Sequence, residues 1–259
     1  MKVRSFVKYL ILCLLLVACS TPRPQGKTEA EILFKEAELL KEDGHYILAT
    51  EKLNLIRSQF PYSYYATHAE LLQADILYMQ ENYIESAAAY ILFKDFHPKF
   101  KKNDYVVMRI ADSFYNQLPD TFDRDLSPSY EAIKYYEEVI RLYPKSENAA
   151  KSKEKIQRCK ELLAKKDRYI ADFYYKTEVF DSARHRYLYI LGNNLTDKDL
   201  RDYYIVRLVK SSENLKDKKT CLNHYEKFKS TISKGKLNEL ESVANDCRNI
   251  ENIQEGENS

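Results

Sequence analysis

Three times in this chain a small residue is followed four positions later by a large apolar or aromatic residue and twelve positions later by a proline: Ala49 with Leu53 and Pro61, Ser86 with Tyr90 and Pro98, Ala132 with Tyr136 and Pro144. A spacing of four keeps two side chains on one helix face, and proline ends a helix because it lacks the amide donor and clashes with the preceding turn. An earlier small residue precedes each of these: Ala37 lies twelve before Ala49, Ala74 twelve before Ser86, and Ala111 twenty-one before Ala132. Small residues in both places let two helix backbones approach closely. Each unit therefore reads as helix, turn, helix, with nine extra residues in the third.

Residues 127–146 form the clearest second helix. Ser127 is placed to cap free amides, Pro128 suits the first helical position, and Ala132, Tyr136, Val139 and Tyr143 follow the helical period on one face. The small residue, the aromatic and the closing proline are the second half of a tetratricopeptide repeat. A fourth unit keeps the offsets at Ala171, Ala183 and Tyr187, with Leu195 where the proline should stand, and Cys221 with Tyr225 suggests a degenerate fifth. The expected fold is all-α: a tetratricopeptide superhelix of about five repeats and ten helices. Only 5 glycines, and prolines that beyond position 24 fall between helices or at the edge of one, agree with it. Residues 28–145 would hold repeats one to three, with the inserted loop at 117–128. Residues 146–250 would hold repeats four and five, and 251–259 a disordered tail.

The first eighteen residues stand apart. Lys2, Arg4 and Lys8 precede a short apolar run at 9–17, and Leu16-Val17-Ala18-Cys19 reads as a cleavage site with a cysteine directly after it. This is similar to a bacterial lipobox, which makes Cys19 the lipidated N-terminus of the mature chain and 19–27 a lipidated, proline-bearing tether. The apolar run is too short to span a bilayer. Removing the three cations turns a net charge of +2 into −1, so no global basic field points to nucleic acid. Cys159, Cys221 and Cys247 remain. Their odd number argues against a disulfide framework, and buried thiols are expected, although Cys221 and Cys247 could pair in an oxidising compartment.

No catalytic motif or cofactor site stands out. His45, His68, His97, His185 and His224 are scattered without zinc-helix spacing, and neither a phosphate-cradling glycine loop nor a nucleophile elbow is present. Repeats of this kind bind peptides or partner domains. Candidate groove residues are Tyr62, Tyr64 and Tyr65 between the first two units, and Tyr105 with Arg109 in the third; packing between repeats explains the same residues equally well. Asp123, Arg124 and Asp125 in the inserted loop read either as a binding feature or as a pin holding the loop to a helix.

The lipobox, the tether, the repeats, Asp104-Tyr105-Val106 leading to Met108-Arg109, the insertion with Asp123-Arg124-Asp125, and Tyr143-Pro144-Lys145-Ser146 together resemble the BamD family. These are lipoproteins of the outer-membrane β-barrel assembly (BAM) machinery. The resemblance implies a non-enzymatic, lipid-anchored protein of the outer membrane that faces the periplasm. It implies that amino-terminal repeats capture segments of unfolded outer-membrane proteins, while carboxy-terminal repeats dock on the periplasmic domains of BamA, alongside other BAM subunits. Arg186 matches the family's BamA-contacting arginine, and Asp123, Arg124 and Asp125 match its loop. Little beyond Lys216 can be matched. The alternative is another tetratricopeptide lipoprotein, acting as a secretin pilotin or as an adaptor for a wall enzyme or protease, which is not expected to carry the interrupted third unit.

Overall fold

The computed structural model describes residues 23–192 and 197–251. The signal segment, Cys19, Leu195 and the tail beyond 251 lie outside the described residues. Eleven α-helices and no strand occur among the described residues: α1 (Glu29–Glu42), α2 (Tyr46–Gln59), α3 (Tyr64–Met79), α4 (Tyr83–Phe96), α5 (Asn103–Tyr115), α6 (Ser127–Leu142), α7 (Glu147–Lys176), α8 (Phe180–Gly192), α9 (Lys198–Asn214), α10 (Lys218–Phe228) and α11 (Lys234–Arg248). The count exceeds the expected ten because α11 follows the fifth pair and packs on both α9 and α10.

The chain divides into two compact units at Gln117 and Leu118, inside the insertion. In the first, each helix from α1 to α5 packs on the next, and α1 also meets α3. In the second, α6 to α10 pack in the same sequential way. The small residues that define the repeats, Ala37, Ala49, Ala74, Ser86, Ala111, Ala132, Ala171, Ala183 and Cys221, are all fully buried. So are Leu53, Tyr90, Tyr136 and Tyr187 in the aromatic slot, each contributing about 1.5–3 kcal/mol by leaving water.

Four of the turns share one backbone solution. Gly44, Glu81, Glu178 and Lys216 take φ values of 77°, 61°, 63° and 55°. The next amide in each case reaches a carbonyl five residues back: His45 to Leu40 at 2.7 Å, Asn82 to Leu77 at 3.0 Å, Val179 to Tyr174 at 2.9 Å, Asp217 to Ser212 at 3.1 Å. This is the Schellman closure, which satisfies the last helical carbonyls. It sets the helix-to-helix angle again in repeats one, two, four and five. The third unit has its insertion there.

Some local expectations hold and others change. Thr28 caps α1 through the Glu31 amide at 3.2 Å, while the Glu31 carboxylate accepts from the Lys27 amide at 3.0 Å. Ser127 is not a cap but the first helical residue; Asp125 Oδ1 accepts from its amide at 3.1 Å and its hydroxyl at 2.7 Å. α7 runs unbroken for 30 residues, since no glycine or proline interrupts it. Cys221 and Cys247 form a disulfide, with Cα atoms 6.3 Å apart, because α11 lies against α10; the expectation of free thiols there is corrected. Cys159 stays a buried thiol, and burial pushes its pKa up to about 11. The described end of the tether does not stand free: Arg23 pairs with Glu29 and Glu36, and Lys35 donates to the Gln25 carbonyl, so residues 23–27 lie along α1.

Candidate functional site

The inserted loop lies against α7. Lys166 Nζ donates to the Arg124 carbonyl at 2.6 Å, and the Phe122 ring meets Tyr169 edge-on with centroids 5.6 Å apart. The pin is therefore Lys166 acting on backbone, and the Arg124 side chain stays exposed. Asp123 and Asp125 are exposed as well. Hydrogen bonds from Thr121 and Ser127, respectively, hold their carboxyl pKa values below the usual range, with Lys166 adding to the effect.

Arg186 projects from α8 into solvent, near Asp167 of α7. Burial raises the Asp167 pKa, and the nearby positive charges of Arg186 and Lys166 oppose the rise. Tyr130, from α6, is close enough to Asp167 and Tyr189 for both to raise its own pKa after burial. Tyr130 is 62% exposed, Tyr189 55% and Tyr169 49%. Arg186, the partly desolvated Asp167, Tyr130 and Tyr189 thus gather on α6, α7 and α8, while Tyr169, two residues from Asp167 and so on another side of α7, packs on the loop through Phe122. Sequence reasoning named Arg186 and the loop but missed these tyrosines. The signal was there: each stands two residues from a buried slot, at Ala132, Ala171 or Tyr187, and two residues turn a helix to its opposite side.

In the first unit the candidate groove residues fall into two groups. Tyr64, 71% exposed, packs on His68 and Tyr65 with centroids 4.0 and 5.4 Å away. Tyr65 continues to Phe34 at 5.6 Å, His68 to Phe100 at 5.7 Å, and Tyr62 is fully exposed. Tyr105 and Arg109 lie elsewhere, around Asp75, about 16 Å along α3 from Tyr64 at 1.5 Å per residue. Asp75 Oδ1 accepts from the Tyr105 hydroxyl at 2.6 Å and from Tyr90. Arg109 Nε donates to the Tyr105 hydroxyl at 3.1 Å, and its guanidinium lies 4.4 Å from the Tyr78 ring centroid. Burial is the largest single influence and works against the Arg109 charge, but the Tyr105 bond and the nearby Tyr105, Tyr90 and Tyr78 oxygens together outweigh it and the pKa is raised. Burial first, then Asp75, keep the Tyr90 and Tyr105 hydroxyls protonated.

The same constellation recurs in the second unit. Asp172 Oδ1 accepts from Tyr187 at 2.8 Å and Tyr203 at 2.9 Å, and Arg207 lies 4.1 Å from the Tyr175 ring centroid. The offsets match: fifteen residues from aspartate to buried tyrosine, thirty or thirty-one to the second tyrosine, and four more to the arginine. Sequence reasoning named Tyr105 and Arg109 of the first copy, but neither Asp75 nor Asp172, Tyr203 and Arg207 of the second.

Among the described residues no group of three or more His, Cys, Asp or Glu side chains could hold a metal ion, and no helix is long and apolar enough to cross a membrane. Residues 27–228 match the family model described as YfiO, outer membrane lipoprotein. The chain is 26% identical over 196 residues to the outer membrane protein assembly factor BamD of Neisseria gonorrhoeae, covering 70% of this chain and 73% of that protein. It is 28% identical over 189 residues to BamD of Rickettsia prowazekii, covering 72% and 75%. Among solved structures, the TPR2AB-domain:pHSP90 complex of yeast Sti1 aligns with a TM-score of 0.45 and 11% identity over 86% of this chain and all of that one.

Proposed function

Because this chain belongs to the YfiO family of outer membrane lipoproteins, whose relatives include outer membrane protein assembly factors, we propose that it is a noncatalytic scaffold of the β-barrel assembly machinery. Cys19 carries the lipid, and acyl chains at about 0.8 kcal/mol per buried methylene hold the protein at the membrane. The first unit receives extended segments of unfolded outer-membrane proteins along α3 and α5, where Tyr64, Tyr65, Tyr105 and Arg109 offer aromatic surface and a fixed cation. The second unit docks on the periplasmic domains of BamA.

The observation that carries this reading is the face around Arg186. An exposed arginine opposite the half-buried Asp167, beside Tyr130 and Tyr189, has the composition of an interface centre, where arginine and tyrosine supply most of the binding energy. The loop with Asp123, Arg124 and Asp125 adds charge of both signs beside it, which sets register and partner choice. Rigid repeats keep both surfaces preorganised, so little ordering entropy is lost on binding.

The test is a titration of purified BamA periplasmic domains with the soluble mature chain. Arg186→Glu is expected to weaken binding tenfold or more, as charge reversal at a desolvated contact does, while the fold is retained with at most a small fall in melting temperature from the glutamate standing near Asp167, because position 186 is exposed. Equal affinity of variant and wild type would contradict the assignment.

A further inference from the structure

Arg207 is a cation that the fold leaves without a carboxylate of its own. Its guanidinium lies 4.1 Å from the Tyr175 ring centroid and 5.3 Å from that of Tyr203, and it forms no ion pair among the described residues. The Tyr203 hydroxyl donates to Asp172, so its lone pairs are left for the arginine. Asp172 in turn is occupied by Tyr187, Tyr203 and Arg168. The arginine is therefore held flat by rings and tyrosine oxygens, with much of its donor fork unspent.

That fork borders a cleft of about 490 Å³, which Tyr175, Phe180, Tyr203 and Lys176 also line. Tyr175 and Phe180 meet edge-on at 5.5 Å and form an apolar wall. Lys176 is exposed and, like Arg207, has no ion pair among the described residues. We propose that this cleft is a second peptide-binding site, in which Arg207 grips a carboxylate while the neighbouring aromatic or apolar side chain of the same peptide rests on Tyr175 and Phe180. The proposal rests on the reading of the repeats as a peptide-binding surface and extends it from the first unit to the second.

Three features select this ligand. A guanidinium edge presents paired N–H groups at the spacing of a carboxylate. Asp172 and Glu178 also line the cleft, so a single negative charge is accommodated more readily than a doubly charged phosphate. The arginine-on-tyrosine seat is also the one built around Arg109, at matching offsets, which gives each unit one receptor of the same chemistry.

The experiment uses the soluble mature chain and a labelled hexapeptide ending in phenylalanine, once with its free carboxylate and once as the amide, read by anisotropy and by calorimetric stoichiometry. Two molecules of the acid peptide are expected per chain, and the amide should bind at least tenfold more weakly. Arg109→Gln should leave one site, and adding Arg207→Gln should remove it. Loss of all binding in Arg109→Gln, equal binding of acid and amide, or binding untouched by Arg207→Gln would overturn the proposal, whereas a single wild-type site that survives Arg109→Gln and is lost with Arg207→Gln would instead count against the first-unit site. Should Arg207→Gln fail to fold, Lys176→Ala at an exposed position is expected to weaken the second site threefold or more, and an unchanged site there overturns it equally. The Arg186→Glu titration reads a different surface, so failure of either experiment leaves the other interpretable.

Discussion

Replacing Asp172 by alanine removes the shared acceptor of two tyrosine hydroxyls. Tyr187 is fully buried, so its hydroxyl is left without a partner and without water, at a cost of about 1–3 kcal/mol. Tyr203 is half-buried and recovers part of its loss from solvent, adding about 0.5–1 kcal/mol. The Arg168 pair, long at 3.4 Å and largely exposed, adds little. The total is about 1.5–4 kcal/mol, or about 5–12 °C in melting temperature for a unit of this size. Urea and thermal unfolding of the soluble chain, followed by circular dichroism at 222 nm, measures it. Asp75→Ala should cost a similar amount in the first unit, because Tyr90 is equally buried and points at the same kind of acceptor. Asp172→Asn, which keeps an acceptor oxygen, should lose less than half as much. If Asp172→Ala lies within 0.5 kcal/mol of wild type, the aspartate-centred network does not hold the repeats together as described.

Reduction of the Cys221–Cys247 bond, which spans 26 residues, should destabilise the second unit by about 3.5 kcal/mol on the chain-entropy estimate; equal urea midpoints with and without a reductant would contradict it. His224 is buried against Ser212 at 3.2 Å, and burial, then Arg184 and Lys227, lower its pKa, with Asp217 opposing. The unfolded chain therefore binds the proton first, and stability should fall as pH drops below about 6.5, the unperturbed value; the fall should flatten in His224→Asn, and identical pH profiles would refute the assignment. Glu178→Gly should stabilise by up to about 1 kcal/mol, because φ of 63° strains any residue with a Cβ. A melting temperature below that of wild type would show that the strain is offset by contacts of the Glu178 side chain.

The repeats were legible because their determinants are local. Ala37, Ala49, Ala74, Ala132, Ala171 and Ala183 are small where two helices must touch, Pro61, Pro98 and Pro144 stop helices, and both signals survive in a linear string. The turn geometry was not legible, since only Gly44 among the four left-handed residues announces itself; Glu81, Glu178 and Lys216 are forced there by the packing of the helices they join. The disulfide escaped for a related reason: α11 must first fold onto α10 before Cys247 can reach Cys221. At the candidate sites, Arg186 and the loop were named from motif resemblance. Lys166, which pins the loop, was missed, because a side chain bonding to a carbonyl has no sequence signature. Arg207 was missed because its seat is assembled from α7 and α9, and only the offsets shared with Asp75, Tyr105 and Arg109 reveal it.

The central claim is that this chain is an assembly-machine scaffold that docks on a β-barrel partner. Its most direct test is to isolate the tagged, full-length protein from detergent-solubilised outer membrane and identify what comes with it by mass. The account predicts a large β-barrel protein with repeated periplasmic domains, recovered with the wild type and depleted with Arg186→Glu. Recovery of a secretin or a wall enzyme instead, with no β-barrel assembly partner in the eluate, would contradict it.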